Sequence, residues 1–101
     1  MAGITTHVLD TAQGKPAAGM RITLRRGDDA LFAGETDADG RAKLVEKAEA
    51  GTYHLVFDTG AYNPEGFFPE VTIVFTVTEE RQHYHVPLLL SPFGYSTYRG
   101  S

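Results

Sequence analysis

The sequence predicts an all-β sandwich of two packed four-stranded sheets with at most one short helix. Three observations carry this. Apolar and polar residues alternate with period two along most of the chain, the repeat of a strand with one buried face. The alternating runs are short and are punctuated by Gly, Pro and Asp turns, the spacing of a sandwich or barrel rather than of βαβ units. Only two brief stretches, Glu46 to Ala50 and Thr59 to Gly66, leave room for a turn of helix.

The first strand is Ile4 to Asp10, where Ile4, Thr6 and Val8 face one way and Thr5, His7 and Leu9 the other; Gly14 and Pro16 then turn the chain. Met20, Ile22 and Leu24 alternate with Arg21, Thr23 and Arg25, as a half-buried antiparallel strand requires. After Gly27-Asp28-Asp29 come a third strand, Leu31 to Thr36, and a tight turn, Asp37-Ala38-Asp39-Gly40, that opens a fourth strand, Arg41 to Val45. Thr52 to Asp58 buries Tyr53, Leu55 and Phe57, leaving His54 on the solvent side. Val71 to Val77 alternates most cleanly. The seventh strand holds His83-Tyr84-His85-Val86-Pro87-Leu88-Leu89-Leu90, and the eighth follows Ser91-Pro92-Phe93-Gly94. Pro87 cannot donate to a ladder, which implies a bulge or a nitrogen facing away from a partner.

The chain has 101 residues, 42% of them hydrophobic, enough for one core and hence a single domain over 1–101. A net charge of -4 with no Lys/Arg run excludes nucleic acid as the expected partner, since phosphate binding depends on clustered cations. The absence of cysteine removes disulfides and thiolate metal sites. The longest apolar run, Val86 to Leu90, is far too short to span a bilayer, and Met1-Ala2-Gly3-Ile4 lacks a signal-peptide pattern. A soluble, unsecreted, cytoplasmic protein without membrane contact is therefore expected.

Several residues carry possible chemistry. Glu35 to Glu46 approaches a calcium-loop pattern, but its flanks have strand rather than helix period and its first position is the longer Glu; a β-turn with Gly40 at the turn explains the same residues. His83 and His85 share a strand face and could chelate a metal, yet no carboxylate or cysteine stands at ligand spacing, so no metal site is assigned. His7 lies on a mixed polar face. His7 and His85 titrate near neutral pH and can move a proton to or from water, while Arg41 and Arg99 are permanent charges that can hold an anion.

Thr6-His7-Val8-Leu9-Asp10, the Asp39-Gly40-Arg41 turn, Phe68-Pro69-Glu70-Val71, and His83-Tyr84-His85-Val86-Pro87-Leu88-Leu89-Leu90-Ser91-Pro92 through Tyr98-Arg99-Gly100-Ser101 resemble the transthyretin-like 5-hydroxyisourate hydrolases over essentially the whole chain. The closing Tyr-Arg-Gly-Ser marks the hydrolase branch rather than the hormone carriers of the same fold. The resemblance implies a homotetramer, a dimer of dimers with sites in a channel lined by one sheet's outer face. It places catalytic roles on His7, Arg41 and His85, and substrate binding on Tyr98, Arg99, Gly100 and Ser101. The implied reaction opens the six-membered ring of 5-hydroxyisourate with water, in urate degradation, to give 2-oxo-4-hydroxy-4-carboxy-5-ureidoimidazoline, and needs no metal or other cofactor. The competing reading is an aromatic-ligand or hormone carrier without catalysis. The stretch from Tyr62 to Phe67 is shorter than the family norm, which questions the helix after the fifth strand.

Overall fold

The structure, a computed structural model, describes residues 3–100. Alternation along the chain becomes nine strands and one helical turn among these residues: β1 (Ile4–Asp10), β2 (Lys15–Pro16), β3 (Arg21–Arg26), β4 (Asp29–Glu35), β5 (Arg41–Val45), β6 (Gly51–Phe57), α1 (Thr59–Tyr62), β7 (Val71–Val77), β8 (Tyr84–Leu90) and β9 (Tyr95–Thr97). One sheet runs β4-β3-β6-β7, all antiparallel. In the other, β8 pairs parallel with β1 and antiparallel with β9, while β2 and β5 both pair with β1.

The second sheet thus has five strands where four are expected, because Lys15–Pro16 adds a two-residue strand. It remains four rows wide. β5 pairs with Ile4 to His7 and β2 with Leu9 and Asp10, so the two lie end to end along one edge of β1. The helical turn for which Glu46 to Ala50 leaves room does not form, and that segment is bends and coil. The helix after β6 is present as a single turn, started by Asp58, whose side chain accepts from the Ala61 N–H.

The faces follow the period-two pattern. Ile4, Val8, Met20, Ile22, Leu24, Tyr53, Leu55, Phe57, Val71 and Leu88 are essentially inaccessible and form the layer between the sheets. The alternate residues Thr5, His7 and Leu9 of β1 point to the outer face, as do His85 and Leu89 of β8. No described helix is long and apolar enough to cross a membrane.

Pro87 shapes the end of the chain. The parallel register with β1 runs unbroken past it, from Ile4 opposite Tyr84 to Asp10 opposite Leu90. The ladder to β9 stops at Thr97 opposite Leu88 and resumes as one bridge, Gly100 opposite His85. The gap is where a donor is missing. Pro87 has no N–H to offer Tyr98, and its carbonyl accepts instead from the Thr97 hydroxyl at 2.7 Å.

Candidate active site

Three strands that are remote in sequence deliver three of the expected side chains to one outer face. His7 on β1 stands opposite Arg41 on β5. The Val8 N–H donates to the Gly40 carbonyl at 2.7 Å, so the neighbouring His7–Arg41 pair is of the non-hydrogen-bonded kind, in which Cα atoms approach to about 4.5 Å and side chains lie closest. On the other side of β1, Thr5 stands opposite His85. A pocket of about 250 Å³ opens here, lined by Thr5, Thr6, Asp37, Arg41, Ala42, Lys43 and His85.

Arg41 owes its place to the turn before it. Asp37 accepts from the backbone N–H of Asp39 at 2.9 Å and of Arg41 at 3.0 Å, and Gly40 takes φ +75°. This is the Asp-and-Gly turn geometry anticipated for the segment, flanked by strands β4 and β5. Thr36, buried just ahead, donates to the Ala17 carbonyl and accepts from the Met20 N–H, fixing the crossing from one sheet to the other.

His85 is held on two sides. Its Nδ1 meets the Thr5 hydroxyl at 2.8 Å, and its Cδ2 edge lies over Gly100, whose N–H donates to the His85 carbonyl at 2.8 Å. Nε2 makes no hydrogen bond among the described residues, and the residue lines the pocket. Burial lowers the imidazole pKa from its ordinary value, and the positive charges of Arg41, His7 and His83 lower it further. The ring therefore stays neutral and able to accept a proton at neutral pH.

Gly100 is necessary for this arrangement. A Cβ there would fall 2.6 Å from His85 Cδ2 and 3.2 Å from its Cβ and Cγ. Gly100→Ala is expected to keep the fold while tilting the ring out of place, with a loss of turnover of up to about 100-fold, as for a displacement of roughly 1 Å at a reacting group. Steady-state kinetics beside a thermal melt checks this, and parent-level turnover would refute it.

In the terminal segment, Gly100 is the residue paired with His85. Tyr98, 60% exposed, lines the same cleft as Arg99. Arg99 falls opposite Val86 in the register. Its guanidinium stacks 4.5 Å from the Tyr84 ring centroid and donates to Gln82 Oε1 at 2.6 Å, beside an apolar cleft bordered by Ile73, Phe75 and Val86. Within one chain Arg99 is thus not brought to His7, Arg41 and His85. Ser101 lies outside the described residues.

Thr5 and Lys43 also line the pocket, and the motifs did not single them out. Strand parity signals both, since Thr5 lies two residues before His7 and Lys43 two after Arg41, and the two stand opposite each other. His83 and His85 do share a face, but both rings engage the Thr5 hydroxyl, and no group of three or more metal-ligating side chains forms among the described residues. Arg41 and Lys43 give this face permanent positive charge beside the histidines, in a chain of net charge -4. Such a face attracts an anionic ligand.

Fold and site together define a two-sheet β-sandwich that carries a histidine–arginine cluster on the outer face of one sheet. The chain belongs to the HIUase/Transthyretin family, whose model matches residues 4–100. It is 53% identical to a 5-hydroxyisourate hydrolase from Mesorhizobium japonicum, over 97% of this chain and 91% of that protein. It is 46% identical to the uric acid degradation bifunctional protein TTL of Arabidopsis thaliana, over 97% of this chain but only 37% of that longer protein. Among solved structures, the 5-hydroxyisourate hydrolase of Klebsiella pneumoniae superposes with a TM-score of 0.91 at 38% identity, covering all of both chains. Sea bream transthyretin in complex with thyroxine superposes with a TM-score of 0.90 at 30% identity, over 96% of this chain and 93% of that one.

Proposed function

We propose that this protein is a 5-hydroxyisourate hydrolase that opens the six-membered ring of its substrate by cleaving a ring amide C–N bond with water. The observation that carries this reading is the meeting of His7, Arg41 and His85 on one sheet face, in a chain whose relatives include named 5-hydroxyisourate hydrolases. A neutral imidazole takes a proton from water as it attacks the ring carbonyl. Arg41 holds the anionic substrate and stabilises the oxyanion of the tetrahedral intermediate. The imidazolium then returns the proton to the leaving nitrogen. The same reading includes a homotetramer in which substrate binding falls to Tyr98, Arg99, Gly100 and Ser101, and in which a second copy covers the open outer face.

The test is spectrophotometric. Urate oxidase product generated in the cuvette should decay faster than its spontaneous rate when this protein is added, and an unchanged decay would end the hydrolase reading. The similarity to a thyroxine-bound transthyretin supports a second reading, a carrier of aromatic ligands. The basic groups beside the pocket make it a poor match for a largely apolar hormone. Micromolar or tighter thyroxine binding by calorimetry, without hydrolysis, would favour the carrier.

A further inference from the structure

The Thr5 hydroxyl lies between two imidazoles. Its Oγ1 is 2.8 Å from His85 Nδ1 and 2.9 Å from His83 Nε2. A hydroxyl has one proton to donate and lone pairs with which to accept. With both rings neutral, Oγ1 can donate to only one of the two nitrogens, so at least one ring must carry its proton on the nitrogen that faces the hydroxyl. The tautomers of the two histidines are therefore linked.

Sheet geometry creates this bridge. The parallel register sets Thr5 directly opposite His85, and His83, two residues earlier with the same parity, reaches the same hydroxyl from the end of β8. His85 is half-buried beside the pocket, whereas His83 is exposed. A hydrogen-bonded path thus leads from the pocket to solvent.

We propose that Thr5 and His83 are positioning residues for the hydrolysis, and that the Thr5 hydroxyl relays a proton from His85 to the solvent-facing His83. The proposal rests on the hydrolase reading. In the starting state His85 carries its proton on Nδ1 and donates it to Thr5 Oγ1, whose own proton is donated to His83 Nε2; the Nε2 lone pair of His85 is free. Water attacks the ring carbonyl and His85 Nε2 takes its proton. The Nδ1 proton then passes to Thr5 as the Thr5 proton passes to His83, leaving His83 as the imidazolium. His85 is now neutral with its proton on Nε2. It gives this proton to the leaving nitrogen as the C–N bond breaks, while the relay runs back: His83 Nε2 returns a proton to Thr5 as Thr5 returns one to His85 Nδ1, which restores the starting state.

One ring thereby acts as base and then as acid without holding a positive charge beside Arg41. The titratable and charged groups around His85 are His7 from β1, Arg41 and Lys43 from β5, Asp37 from the preceding turn, and His83 from its own segment; of these Arg41, His7 and His83 lower its pKa, after burial.

Thr5→Val, close in shape but without the hydroxyl, and Thr5→Ser, which restores it, test the relay. Thr5→Val is expected to lower kcat for 5-hydroxyisourate by roughly 10-fold to 100-fold, as for a misplaced catalytic group, with KM little changed. Its kcat-against-pH profile should shift, and Thr5→Ser should recover most of the loss and the parent profile. A parent-like kcat and pH profile in Thr5→Val would overturn the proposal. His83→Ala, at an exposed position, gives a second measurement should Thr5→Val fold poorly. It is expected to change the pH profile of kcat, and a profile superimposable on the parent's would overturn the relay. Nitrogen-15 NMR of the histidine rings needs no substrate: His85 should change its tautomer balance in both Thr5→Val and His83→Ala, and an unchanged balance would overturn the linkage even if no hydrolysis were found.

Discussion

His85→Asn is expected to lower turnover of 5-hydroxyisourate by about two to four powers of ten, the usual contribution of a positioned proton-transfer group. His7→Asn should fall in the same range. Asparagine can still hydrogen-bond to Thr5, so the change removes proton transfer more than local structure. Stopped-flow spectroscopy on freshly generated substrate is the measurement, and a rate within a few-fold of the parent would remove either residue from the mechanism. The pH dependence has a definite sign. Burial first, then the charges of Arg41, His7 and His83, lower the His85 pKa. The base therefore stays unprotonated as pH falls through the ordinary imidazole value, and activity is lost only near the lowered one. For stability the unfolded chain takes up this proton first. His85 thus contributes no penalty above the ordinary value and a growing one as pH drops from there toward the lowered pKa.

Gly40→Ala is expected to be the most damaging single-methyl change to the fold. Gly40 has φ +75°, and a Cβ there would lie 2.5 Å from the Val8 carbonyl oxygen and 3.0 Å from Pro16 Cβ. Both neighbours are fixed in the sheet, Val8 in the middle of β1 and Pro16 in β2. Backbone strain and overpacking each cost about 1–3 kcal/mol. Taken together at about 3 kcal/mol, they should lower Tm by roughly 12–24 °C in a domain of this size. A melt within about 3 °C of the parent would contradict this, being less than the shift for 1 kcal/mol. Arg41 is the next residue, so any rearrangement that relieves the strain also displaces the site.

Much of the fold is legible in the sequence because a strand's side-chain period is two, and burial of one face writes that period directly into β1, β3 and β7. The same parity places His7 away from the core and His83 on the face of His85. Weak local signals explain the differences. Lys15–Pro16 is too short to alternate, so β2 exists only through its pairing with Leu9 and Asp10. Glu46 to Ala50 has helix-compatible composition, but nothing local outweighs the connection between two strands. The one-turn α1 is set by the Asp58 cap and by Thr59, whose hydroxyl donates to the Phe68 carbonyl.

The tail shows most clearly where such reading ends. By itself the sequence determined the longer strands, their buried faces and the Asp37 to Gly40 turn. Only the tertiary structure decided which strands are neighbours. Periodicity specifies a face but not a partner, and the parallel β1–β8 pairing that joins Thr5 to His85 spans almost the whole chain. That pairing creates the bridge through Thr5. The bridge beyond Pro87 also decides that Gly100 accompanies His85 while Arg99 turns back onto Tyr84, because neighbouring residues of an extended chain point to opposite faces.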